Sequence, residues 1–312
     1  MRKEPSKTLH WSAFFFRWRL IFSFFYIVIS NGYLVGFLKG KIYTGKGKLI
    51  CLPGLNCYSC PGALGACPIG SLQNSFGGVA YGALSYVVGI ILFFSALLGR
   101  VVCGFLCPMG FLQELLYLIP IPKLPRISLL DSIFRFLKYL VLSAILVIIP
   151  LFFIDRYGNA LPIFCKYLCP SGTIFASLPL LSTNQALVSQ IGTLFFIKLF
   201  IAIFIVVLSV IIFRPFCKYL CPLGAIYGFF NSIALFRLKV DKQKCISCLL
   251  CEKKCPMNVA VLKNINSREC VRCGRCVRGC PSQCISFVRP FAEIKTDSFS
   301  FKNNKSMDKI DE

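Results

Sequence analysis

A single histidine, His10, stands in 312 residues, and acidic side chains number 12 against 35 lysines and arginines. One histidine cannot supply the axial pair of a b-type haem, and no Cys-x-x-Cys-His run is present to attach a c-type haem. No Gly-x-Gly-x-x-Gly opens a helix after a strand-like run, and neither a phosphate loop nor a hydrolytic constellation can be read. Charge itself is missing over long stretches. From Leu49 to Gly99, and again from Tyr167 to Ile197, there is no Asp, Glu, Lys or Arg. Solvated loops are rarely so bare, so the loops inside these stretches are expected to lie against or dip into a membrane interface, where irregular backbone must be covered by protein.

What is abundant is apolar surface and cysteine. Hydrophobic residues make up 56% of the chain and charged ones 15%, with a mean hydropathy of +0.72, the composition of a membrane protein with a smaller polar appendage. Four stretches approach the roughly 20 apolar residues that a helix needs to cross a bilayer: Leu20 to Leu38, Val79 to Gly99, Phe136 to Ile154 and Leu194 to Phe213. A cleavable signal peptide is a poor account of the first, because no A-x-A-like site follows it. Arg2, Lys3, Lys7, Arg17 and Arg19 precede the first span, and Arg100, Lys123, Arg126, Arg135 and Lys138 lie between the second and third. That bias places both termini in the cytoplasm, against the pull of Lys39, Lys41, Lys46 and Lys48 in the first outer loop. The formal charge of +23 reflects this bias and a counterweight to anionic cofactors; nucleic-acid binding, its usual reading in a soluble protein, does not suit so apolar a chain.

The 19 cysteines follow two patterns. Near the C-terminus, Cys245-x2-Cys248-x2-Cys251-x3-Cys255-Pro256 recurs as Cys270-x2-Cys273-x2-Cys276-x3-Cys280-Pro281. This doubled spacing is what two cubane iron–sulfur clusters require, with the cysteine before each proline reaching across to the other cluster. The ligand sets are then Cys245, Cys248, Cys251 and Cys280 for one [4Fe–4S] cluster, and Cys270, Cys273, Cys276 and Cys255 for the other. So small a unit depends on its clusters to stay folded. Cys284 falls outside both runs and reads as a packing residue.

Upstream, Cys-Pro-x-Gly appears four times, beginning at Cys67, Cys107, Cys169 and Cys221, and the last three copies have a partner four residues earlier in Cys103, Cys165 and Cys217. Proline keeps the preceding cysteine out of helical geometry and itself suits a first helical turn, so each copy predicts a loop-to-helix junction. The positive helix end favours a thiolate, and any anionic cluster, at the cysteine. On the predicted topology Cys103, Cys107, Cys217 and Cys221 share the inner face. On the outer face Cys60, Cys67, Cys165 and Cys169 are the expected ligands, with Cys51 and Cys57 as alternatives. One further cluster per face is the expectation; buried packing cysteines and redox dithiols relaying electrons by exchange are the competing accounts. Glu114, seven residues after Cys107 in apolar surroundings, is the candidate proton acceptor for quinol oxidation, against the simpler reading of an interfacial residue facing water.

With these residues in view, the chain resembles the NapH-type membrane iron–sulfur proteins, related to the membrane part of NosR and to the CcoG proteins. The resemblance rests on the four spans, the Cys-x3-Cys-Pro units, the run from Asn56 through Cys57 and Cys60, the run Ala66-Cys67-Pro68-Ile69-Gly70, and the C-terminal ferredoxin pattern. It implies a quinol-dehydrogenase component, an electron-transfer subunit of a membrane oxidoreductase that passes electrons between the quinone pool and redox partner proteins. Three Cys-x3-Cys-Pro units, where the simplest pattern has two, leave the pathway open, and a metal-ion reductase of the CcoG kind or a NosR-like redox sensor are the rival readings. The expected architecture is a membrane α-helical domain over residues 1–237 with four transmembrane helices and interfacial cysteine loops, a two-cluster α+β ferredoxin domain over 238–290, and a polar tail over 291–312. The expected location is the cytoplasmic membrane, in contact with lipid.

Overall fold

The computed structural model describes residues 18–76, 81–123, 128–153 and 160–288. His10, Arg156, Val79, Ile154 and the polar tail lie outside the described residues.

The first expected span is shorter than the sequence suggested. Its helix, Arg19–Ser30, covers 12 residues and about 18 Å at 1.5 Å per residue, well under the apolar thickness of a bilayer. Asn31 ends it by turning its amide back on the chain, Nδ2 donating to the Ile27 carbonyl at 3.1 Å. The second span is a helix over Tyr81–Leu98, closed by Gly99 in the left-handed region at φ 53°. The third starts earlier than expected: the described backbone is helical without a break over 128–152, with π geometry from Val141 to Ile148. Pro150 lacks the N–H that an α-helical ladder would use there, which favours the wider turn ahead of it. The fourth, Thr193–Ile211, is the one helix among the described residues long and apolar enough to cross a membrane by itself.

The predicted junctions form at all four Cys-Pro-x-Gly copies. Cys67, Cys107, Cys169 and Cys221 have extended backbone, with ψ between 113° and 127°, and each following proline opens a helix. The glycines have a packing reason. A Cβ on Gly110 would stand 2.8 Å from the Cys103 carbonyl oxygen, and one on Gly224 3.3 Å from that of Cys217, so only glycine lets the short helix carrying the first cysteine fold back over the second.

The charge-free segment after Ile50 folds inward. Cys51 and Ala66 form a parallel bridge, and Gly54 packs so closely on Leu106 and Cys107 that a Cβ there would lie 2.5 Å from the Leu106 carbonyl oxygen. Tyr227, fully buried, donates its hydroxyl to the Pro53 carbonyl at 2.8 Å. The loop expected on the outer face therefore reaches the Cys107 junction.

The C-terminal unit is stitched by two short antiparallel strands, Leu238–Val240 and Ile285–Phe287, with Leu238 opposite Phe287. It is not a loose appendage. Val101 and Phe105 from the helical part share one core with Val261, Ile265, Val277 and Ile285. Gly104 meets Val271 backbone to backbone, and Asn231 Nδ2 donates to the carbonyls of Ser267 at 2.7 Å and Cys270 at 3.0 Å. Arg272, buried, donates to the carbonyls of Leu98, Phe236 and Asn231.

Candidate iron–sulfur sites

Six left-handed residues shape the ferredoxin end, and they repeat. Ser247 and Arg272 lie two residues after the first cysteine of each run, Leu249 and Gly274 one after the second, and Asn258 and Gln283 three after the last. Five of the six are not glycine, so the backbone carries a cost of order 1 kcal/mol at each. Left-handed residues of this kind turn successive N–H groups toward one point, a concavity suited to an anionic group. Cys245, Cys248, Cys251 and Cys280 line one cavity, and Cys255, Cys270, Cys273 and Cys276 line another. The crosswise exchange of the cysteine before proline is thus present in space. No three His, Cys, Asp or Glu side chains among the described residues converge as a single metal ion would need. Two cavities, each lined by the four thiols of one crossed set, suit a polynuclear iron–sulfur group, whose ligand chemistry is soft thiolate. Cys284, buried in the core, also lines the first cavity, its Sγ 3.4 Å from that of Cys280.

The inner set, Cys103, Cys107, Cys217 and Cys221, is buried in one core, close enough that a charge on any of the other three bears on Cys221. Two arginines cross-link its halves. Arg100 and Arg214 each stand three residues before a cysteine pair, and each reaches over the opposite pair: Arg100 donates to the Cys217 carbonyl at 3.2 Å, and Arg214 to the Cys103 carbonyl. Gln113 Nε2 lies 3.3 Å from Cys217 Sγ, while its Oε1 accepts from the Phe216 N–H at 3.0 Å. Sequence reasoning missed this support, although the signal was present as Arg-x2-Cys-x3-Cys-Pro-x-Gly written twice.

A separate group, Cys57, Cys67, Cys165 and Cys169, lines a cavity of about 410 Å³ that also receives Lys198. Gln73 accepts from the Cys165 N–H at 3.3 Å, the counterpart of Gln113, since both follow their Cys-Pro cysteine by six residues. Cys60 is not in this group. It is buried beside Ala63 and Ala176, its Sγ 3.3 Å from the Phe175 carbonyl oxygen, so Cys57 takes the position expected of Cys60. Cys51 also points elsewhere, its Sγ 3.7 Å from the Ser71 hydroxyl.

Glu114 neither faces water nor stands free. It is buried and bound by Arg19, by Arg214 at 2.6 Å and by Arg275 at 3.5 Å. Burial alone would push its carboxyl up, but Arg214 and Arg19 outweigh it and hold the group down at about 2. The geometry gives Glu114 a structural part: it ties the first helix, the Cys217 junction and the ferredoxin end together. A second such tie is Glu269, which meets Lys138 at 2.6 Å and Arg100 at 3.4 Å. Burial raises its carboxyl too, and Arg100 and Lys138 bring it below the ordinary range.

Two family profiles match the chain: a 4Fe-4S binding domain over residues 79–127, 139–182 and 194–243, and a 4Fe-4S dicluster domain over 237–281. The first coincides with the three Cys-x3-Cys-Pro units and the second with the doubled ferredoxin run. No solved structure matches. Among curated proteins, the uncharacterized MJ0749 of Methanocaldococcus jannaschii is 32% identical over 60% of this chain and 62% of its own length. The ferredoxin-type protein NapH of Haemophilus influenzae is 28% identical over 54% of this chain and 51% of its own, so the chain spans about half of that relative. The uncharacterized MJ0750 of Methanocaldococcus jannaschii is 32% identical over 65% of this chain and 77% of its own length. The chain is a [4Fe–4S] protein, and it belongs to the family of MJ0750.

Proposed function

We propose that this chain is a multi-pass membrane electron-transfer protein that exchanges electrons between the quinone pool and a redox partner at its ferredoxin end. The observation that carries the reading is that cysteines of the ferredoxin end, of the Cys103–Cys221 set and of the Cys67–Cys169 set pack into or against one core. The two ferredoxin cavities share the crossed runs, Arg214 donates to the Cys103 carbonyl and bears electrostatically on both Cys217 and Cys273, and buried Tyr227 shares the core of Cys103, Cys107, Cys221 and Cys67. A bilayer-thick gap between inner and outer sites, which would need a separate intermediate, is therefore not part of the proposal. Clusters at these sites would supply one-electron carriers. The protein's own part is to fix their positions, exclude water from them and set the charge around them.

The membrane reading has support from exposed apolar surface on every long helix: Phe22, Phe25 and Ile29 on the first, Leu92 and Phe93 on the second, Phe136, Val147 and Phe152 on the third, and Phe200, Phe204 and Val207 on the fourth. Patches of this extent are out of place in water. Lys and Arg placement favours cytoplasmic termini. The ferredoxin-type relative NapH agrees with a redox role. The test is anaerobic reduction of the purified, detergent-held protein by a quinol, followed by low-temperature EPR with iron and sulfide quantification. Quinol-linked reduction with sustained turnover toward an acceptor supports the proposal; a protein that is reduced once and never turns over acts as a sensor, and one that turns over only with copper ions is a metal reductase.

A further inference from the structure

A cavity of about 490 Å³ opens between the first helix, the helix Pro108–Tyr117 and the ferredoxin end. Four cations line it, Arg19, Lys254, Arg275 and Arg278, against one acid, Glu114. Glu114 does not neutralise this set, because it is already shared with Arg214 outside the cavity. Arg19, 2% exposed, has an Nε–H with no acceptor. The side chains of Lys254 and Arg278 make no hydrogen bond or ion pair among the described residues, and Lys254 lies over Gly279 at the cavity wall. The buried Arg19 Nε–H is costly to leave without an acceptor, and the exposed Lys254 and Arg278 add uncompensated positive charge at the mouth of the cavity.

The surroundings indicate which anion. The wall includes Leu20 and Leu118, and Leu118 is exposed, as are Ile21, Phe25 and Ile119 beyond it. Trp18 stands exposed at the start of the first helix, where amphipathic rings mark a membrane–water boundary. A free phosphate uses only the polar end of such a cleft. A phosphate carrying acyl chains uses both ends.

We infer that this cavity binds the phosphate headgroup of an anionic phospholipid, with Arg19, Arg275, Lys254 and Arg278 as donors and the Leu118 side as the path of the chain. The lipid source rests on the membrane reading above, whereas the cationic cavity does not. The ligand sits beside Lys254, next to Cys255, and beside Arg275 and Arg278, which flank Cys276, so its charge bears on the ferredoxin site that Cys255 and Cys276 share.

Native mass spectrometry of the full-length, cluster-loaded protein tests this, with phosphatidylglycerol, phosphatidylcholine and inorganic pyrophosphate as probes. Phosphatidylglycerol should be held in preference to phosphatidylcholine. Arg278→Gln should weaken it, Arg278→Lys should largely keep it, and Lys254→Gln with Arg278→Gln together should weaken it roughly 30-fold, as expected for two headgroup contacts. Unchanged iron and sulfide content in each variant shows that the fold persists. Equal retention of both lipids, or retention indifferent to the double substitution, overturns the inference. Pyrophosphate bound through Lys254 and Arg278 with no lipid preference overturns the lipid source and identifies a free-phosphate site. A chain that stays monodisperse without detergent sinks the membrane reading separately from the cavity.

Discussion

Glu114→Gln separates an anchoring role from a proton-accepting one. The carboxyl falls from an ordinary 4.5 to about 2 in the folded chain, which corresponds to about 3 kcal/mol of stability at neutral pH, in line with the roughly 3–5 kcal/mol lost when one partner of a buried ion pair is removed. Glutamine keeps the shape and removes the charge, leaving Arg19 and Arg214 buried without their anion. Because the folded value is depressed, this contribution is complete above the unfolded value and is lost as pH falls from 4.5 toward 2. For a chain of this size about 3 kcal/mol lowers the thermal midpoint by roughly 5 °C. Tryptophan fluorescence of the detergent-held protein under anaerobic heating at pH 7 reads this directly, and the deficit against the parent should shrink as pH is lowered into the acid range. A midpoint within about 2 °C of the parent would refute the reasoning. Loss of quinol-linked reduction in a variant of unchanged stability would do so as well, and would return Glu114 to the proton-accepting role.

Replacing Cys57 by Ser should remove about four irons from the site it shares with Cys67, Cys165 and Cys169, one cubane's worth, while Cys60→Ser leaves iron content unchanged; iron and sulfide analysis with EPR compares the two. Cys284→Ala should keep the full iron count but shift the potential of the cluster held by Cys280, since the neighbouring thiol is a weak hydrogen-bond donor at 3.4 Å; redox titration by EPR is the measurement. Gly104→Ala places a Cβ 2.6 Å from the Val271 carbonyl oxygen, and hydrogen exchange should rise on both sides of the seam between the helical part and the ferredoxin end, at a cost of about 1–3 kcal/mol. Removing the clusters with a chelator should destabilise the helical part as well as residues 238–288, because its buried arginines lose their anionic neighbours; near-unchanged protection of the helix Thr193–Ile211 after chelation would count against that coupling.

Much of the ferredoxin end was legible because metal ligation leaves its spacing in the chain: eight cysteines at fixed offsets define two cavities whatever the loops do. The Cys-Pro-x-Gly junctions were legible for a related reason, since proline constrains its neighbour's backbone locally. The choice of Cys57 over Cys60 was not. Both lie in one irregular loop three residues apart, and which sulfur faces the cavity depends on how the loop packs against Phe175 and Gly172, contacts more than a hundred residues away in the chain. The first span misled for a similar reason: hydropathy registers a continuous apolar run from Leu20 to Leu38 but not the turn at Asn31 that lets the run cover the loop around Pro61, where Gly36 meets the Pro61 carbonyl. Glu114 looked like an isolated acid in an apolar segment because its three arginine partners are each more than ninety residues away.

The same arginines account for the chain's excess of positive charge better than topology alone does. Among the described residues the buried charged side chains are six cations, Arg19, Arg100, Lys138, Arg214, Lys218 and Arg272, and one acid, Glu114. Adding the partly buried Glu269 and Asp131, which pair with Lys138 and Lys218, still leaves the interior cationic. Burying unpaired cations costs several kcal/mol each, and peptide carbonyls such as those around Arg272 offset part of that through dipoles without cancelling charge. A cubane held by four thiolates is anionic, and Arg100 and Arg214 lie beside such cysteine sets. Protein and cofactor are therefore electrostatically incomplete without each other: the arginines stabilise the reduced, more negative clusters, and the clusters make it possible to bury the arginines that join the ferredoxin end to the helices.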